Sequence, residues 1–102
     1  MAVIARWTTP SITYKPSAVD MEYVDQIYMV IKQDDVEKLR KSKDDATVSE
    51  AGFTWGLEQT DTSKLTAKAV STVQFDYTSG TARYTTIPKR YDITSSAINE
   101  VL

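Results

Sequence analysis

Residues 70–88 read VSTVQFDYTSGTARYTTIP. Val73, Phe75 and Tyr77 alternate with Thr72, Gln74 and Asp76. Beyond Ser79-Gly80, the residues Ala82, Tyr84 and Thr86 alternate with Arg83, Thr85 and Ile87. Alternation at a period of two is the pattern of a half-buried strand. A glycine-bearing dipeptide between two such runs predicts a hairpin, because glycine tolerates positive φ. With Ser79 and Gly80 as the loop, Thr78 faces Thr81 and Tyr77 faces Ala82. Asp76 then faces Arg83 on the outer side, and Phe75 faces Tyr84 on the inner side. Charge and aromatic pairs of this kind each contribute about 0.2–1 kcal/mol. Pro88, with no N–H to donate, ends the ladder or marks an edge.

The same period recurs on either side of that hairpin. In residues 25–33, Ile27, Met29 and Ile31 fall on one face and Tyr28 and Val30 on the other. Apolar residues on both faces suit a central strand or one beside a partner surface. Asp34-Asp35 then turns the chain into Val36–Lys41, placing Lys32 opposite Glu37 and Val30 opposite Leu39. A short helix capped at Asp34 is the competing reading. Phe53, Trp55 and Leu57 form another alternating run. Ile12 and Tyr14, between Pro10 and Pro16, read as a short first strand, and Ala46–Val48 as a further one. Residues 59–65 (QTDTSKL) are polar and turn-forming, with one helical turn capped by Thr60 or Asp61 as their regular element. The tail Tyr91–Leu102, carrying Ile93, Ile98, Val101 and Leu102, fits either a short helix from Ser95 or a docked arm.

Six or seven short strands with frequent turns predict an all-β fold: an antiparallel β-sandwich, Ig-like or a similar Greek key or meander, with one short helical turn. The chain has no cysteine, so it lacks the disulfide of antibody domains. At 102 residues it is expected to be one domain over 1–102, with residues 1–9 as an N-terminal arm and 91–102 as a C-terminal tail.

Composition narrows the chemistry. A net charge of -2 argues against nucleic acid or an anionic membrane as partner. The densest basic group, Lys38, Arg40, Lys41 and Lys43, is followed at once by Asp44 and Asp45, a solvated mixed-charge turn. Without histidine or cysteine, the common nucleophilic triads and thiolate or imidazole metal sites cannot be built. Ser42-Lys43 and Ser63-Lys64 sit in polar segments, and Asp34-Asp35 and Asp44-Asp45 read as turn residues. No glycine-rich phosphate loop or calcium loop is present. The expectation is no enzyme, no metal and no cofactor. No apolar run matches a signal peptide or a membrane span. Among the aromatics, Trp55 and Phe75 are assigned to the core. Trp7, before Pro10, is the best candidate for a protein contact, with Tyr23 and Tyr91 behind it.

The order of features resembles small structural proteins of phages and prophages of Gram-positive bacteria. A short Pro-bounded strand precedes DQIYMVIKQ, a charged hairpin, GFTWGLEQT, the polar turn QTDTSKL, the hairpin VSTVQFDYTSGTARYTTIP and a tail ending INEVL. The resemblance spans nearly the whole chain. It departs at Asp34-Asp35, where such proteins often carry a glycine turn. It is similar to the N-terminal module of phage upper-baseplate proteins. It implies a β-sandwich tail or baseplate component that acts by contacts with other virion or tail proteins, as a homo-oligomer or in a mixed assembly. Such a protein is made in the bacterial cytoplasm and carried into the virion. The resemblance transfers no site residues. Two further readings stand beside it: a carbohydrate-binding sandwich, and a module regulating a host protein.

Overall fold

The computed structural model describes residues 2–102. Nine strands form two sheets: β1 (Val3–Ala5), β2 (Ser11–Tyr14), β3 (Gln26–Gln33), β4 (Val36–Lys41), β5 (Thr47–Ser49), β6 (Gly52–Gly56), β7 (Val70–Ser79), β8 (Ala82–Thr85) and β9 (Lys89–Thr94). One helical turn, α1 (Gln59–Thr62), links the sheets. The larger sheet runs β1-β9-β7-β3-β4, with β8 beside β7, and the smaller runs β2-β6-β5. The all-β sandwich is therefore the fold, with two strands more than expected.

The extra strands come from the two ends. Val3–Ala5 pairs in parallel with β9, so three residues of the expected arm form an edge strand; Met1 lies outside the described residues. Lys89–Asp92 pair with β7 and Asp92–Thr94 with β1, so the tail proper begins after Thr94, as an arm and not a helix.

The decisive hairpin forms, but its loop is Gly80-Thr81 instead of Ser79-Gly80. Ser79 faces Ala82, Tyr77 faces Tyr84 and Asp76 faces Thr85. Gly80 has φ +60° and takes the first central position, which only glycine fills readily. The expected loop would have put Ser79 there. The register moves by two residues, so every side chain keeps its face. Phe75 and Tyr84 are not partners; Tyr84 stacks on Tyr77, ring centroids 5.1 Å apart. Asp76 and Arg83 still meet, diagonally, at 3.0 Å.

The second hairpin also forms, and the helical alternative fails. Asp34 and Asp35 have φ of 51° and 61°, the double left-handed pattern of a type I′ turn. Lys32 faces Glu37 as expected. A bulge then shifts the register, so Leu39 faces Ile31 and Val30 faces Arg40. The bulge has a packing cause. Without it Leu39 would stand beside Val30 on the outer face; with it Leu39 is 6 % exposed in the core.

A third irregularity separates β8 from β9. Between Thr85 and Lys89 lie three residues, against two on β7. The extra residue switches the inward set from Tyr84 to Tyr91 and Ile93. Thr86 and Gln74 fill the gap in the ladder: Phe75 N donates to Thr86 Oγ1 (3.0 Å) and Gln74 Nε2 to Thr86 O (2.8 Å).

Ile27, Met29 and Ile31 from β3 and Val73, Phe75 and Tyr77 from β7 meet Ile12, Phe53, Trp55 and Leu57 across the sandwich. The rings run in series between the sheets, Tyr14 on Phe75 at 4.5 Å and Phe75 on Trp55 at 5.5 Å. Such pairs add about 0.5–1.5 kcal/mol each beyond burial. Trp55 is buried and donates Nε1 to Ser42 O at 2.9 Å.

The polar turn is capped by Glu58, not by Thr60 or Asp61. Asp61 instead sits three residues on and accepts the Glu58 N–H at 2.9 Å. Its carboxylate also pairs with Lys41 Nζ at 3.2 Å, and Lys43 Nζ donates to Val24 O at 2.8 Å. The basic cluster is thus partly built into the fold and is not a purely solvated turn.

Candidate contact surface

The outer face of the larger sheet carries the densest set of fixed polar groups. β3, β7, β4 and β8 bring Tyr28, Val30, Asp76, Thr78, Arg40 and Arg83 around a hollow of about 290 Å³. Strand register sets the arrangement. Tyr28 stands opposite Asp76, while Val30 lies between Gln74 and Arg40. Tyr28 is 37 % exposed and Val30 half-buried, so an apolar centre lies open among charges.

Those charges hold one another in place. Arg83 Nη2 lies 3.0 Å from Asp76 Oδ2, and Thr85 Oγ1 donates to the other carboxylate oxygen. Arg40 donates to Glu37 Oε1 through Nη2 (2.7 Å) and Nε (3.2 Å). The Thr85 hydrogen bond holds the Asp76 carboxyl below its usual range, helped by Arg83. Glu37 raises the Arg40 guanidinium further above its ordinary value. A carboxylate stabilised in this way is a poor proton acceptor. The hollow presents fixed charge and apolar area, a combination suited to recognition.

The three expected contact residues lie on different elements. Trp7 is half-buried in the turn that leaves β1, with φ 64°. Its indole Nε1 and the neighbouring Arg6 Nε are buried without partners. Tyr23 is 61 % exposed in the short 3₁₀ turn before β3. Tyr91 is half-buried on the inner face of β9, with Lys89 Nζ 5.4 Å from its ring centroid. Neither Trp7 nor Tyr23 borders the hollow that Tyr91 lines, nor that around Tyr28.

The sequence placed Tyr28 among several aromatics that could form a contact patch without singling it out, although its signal was visible. Apolar residues on both faces of residues 25–33 pointed to a central strand or a partner surface. β3 is interior to its sheet, and its outer face is uncovered among the described residues.

Among the described residues, no three acidic side chains gather to hold a metal ion, and no helix is long and apolar enough to cross a membrane. Comparison with protein-family models, with curated proteins and with solved structures found no match, so the surface is read from its own chemistry.

Proposed function

We propose that this chain is a non-enzymatic structural component of a phage or prophage tail or baseplate, working through protein contacts. The observation that supports contact work is the outer face of β3. Tyr28 and Val30 are presented beside two surface ion pairs, so a partner would meet apolar area rimmed by paired charge. The order of sequence features along the whole chain supports the choice of a virion component.

The carbohydrate-binding alternative calls for two or three coplanar exposed aromatics on one sheet face. Trp55 is 1 % exposed, and Tyr28 is the one aromatic that the larger sheet's strands turn outward. The contact reading therefore has the stronger support.

Mass spectrometry of purified particles tests the proposal. The chain should be present at a fixed ratio to the tail proteins. Tyr28→Asp with Val30→Asp should leave the chain folded but absent from particles. Particles that lack the wild-type chain, or that incorporate the double variant normally, would contradict it.

A further inference from the structure

The two sheets differ in width, six strands against three, and this leaves one side of the sandwich open. β2 is one of the two edge strands of the smaller sheet and, among the described residues, pairs only with β6. Leu57 N donates to Pro10 O, which fixes the residues bonded to β6 as Pro10, Ile12 and Tyr14. By alternation, Ser11 and Thr13 turn their backbone N–H and C=O groups to the open side. Next to them is a hollow of about 310 Å³ floored by Val73, Phe75 and Tyr91, with Ile87, 90 % exposed, on its rim.

One charge occupies this apolar setting. Lys89 stands opposite Val73, at an inward position of β9, yet it is exposed because the smaller sheet does not extend over it. Its ammonium lies over Tyr91 and, among the described residues, has no carboxylate within salt-bridge distance. A strand laid beside β2 would complete the backbone pairing, cover the aromatic floor and need an acid facing Lys89.

The chain itself contains such a segment. Residues 98–102 (INEVL) form no strand, and Ile98, Val101 and Leu102 are 49 %, 59 % and 81 % exposed. In an extended conformation Ile98, Glu100 and Leu102 share one face, an acid between two apolar residues. The segment is held by Gln59, whose side chain bonds the Leu102 N–H (2.7 Å) and C=O (3.3 Å). β9 leads away from the hollow at Lys89 toward Thr94, so the chain's own tail departs from the far end.

We propose that Ile98–Leu102 of a second copy of this chain docks beside β2 as a fourth strand of the smaller sheet, with its Glu100 against Lys89. Each copy carries both the segment and the edge that receives it, so reciprocal exchange closes a pair and one-way docking builds larger rings or open rows. It rests on the protein-contact reading, and names one partner for it.

The test needs no unknown partner: light scattering of the full chain over a concentration series. The wild type should self-associate. Lys89→Glu and Glu100→Lys should each weaken association about tenfold or more, while near-UV circular dichroism stays native. An equimolar mixture of the two variants should regain association, since each supplies the charge the other needs. A wild type that stays monomeric, single variants that associate normally, or a mixture that does not recover would each overturn the proposal. The Tyr28→Asp, Val30→Asp variant should still associate, which separates this surface from the one proposed for the virion.

Discussion

Gly52 shows how much a single position can decide. It has φ +123°, and a Cβ there would lie 2.4 Å from the Tyr14 carbonyl oxygen. The backbone of β6 passes so close to β2 that only glycine fits. Gly52→Ala should therefore cost about 3 kcal/mol or more, measured by urea denaturation. Tyr14 itself is pushed up to about 12 from 10.0, first by burial and then by the neighbouring Tyr77. The fold holds its phenolic proton more tightly than the unfolded chain does. This contribution is complete below pH 10 and is lost as pH rises toward 12. Tyr14→Phe should flatten the fall in stability across that window. Asp76 behaves in the opposite sense. Its folded value is lowered, so its contribution is present above the ordinary carboxylate value and disappears as pH falls through the lowered one. The Asp76–Arg83 pair is largely exposed, so a double-mutant cycle should return about 0.2–1 kcal/mol, less in high salt.

At the scale of elements, the alternation of side chains was enough to place β2 to β8, while their registers were set by backbone detail. The shift of the main hairpin from Ser79-Gly80 to Gly80-Thr81 left every face unchanged, so the pattern could not reveal it. The bulge in β4 was hidden for a different reason: it answers to Ile31, a residue on another strand that Leu39 must meet in the core. Leu39→Ala should remove the side chain that the bulge turns into the core. The expected loss is about 2–4 kcal/mol, the cost of emptying a buried leucine site, and thermal unfolding would measure it. Asp34-Asp35 carries two left-handed aspartates where Asn-Gly is better suited. Replacing the pair with Asn-Gly should stabilise the fold by about 0.5–1 kcal/mol. β1 was illegible because three residues leave no periodic trace, and β9 because its alternation is masked by Lys89, exposed at an inward position.

For the whole molecule, the feature that matters is unequal cover. The smaller sheet buries the inner face of β3 and β7 well and leaves that of β8 and β9 partly open; among the described residues nothing covers the outer face around Tyr28. The sequence hinted at the second surface through Tyr28 and Val30 but not at the first. Tyr91 was singled out as an aromatic, whereas the exposed inward lysine beside it depends on where the smaller sheet stops. Trp7, ranked first from its place before Pro10, lies in a tight turn with its indole nitrogen buried. Oxidative footprinting of the isolated chain, and of the chain in purified particles, tests the account most directly. In the isolated chain Tyr28 should react and Phe53 and Trp55 should not, while in particles Tyr28 should become protected. Labelling of Trp55 in the folded free chain, or equal labelling of Tyr28 in both states, would contradict it.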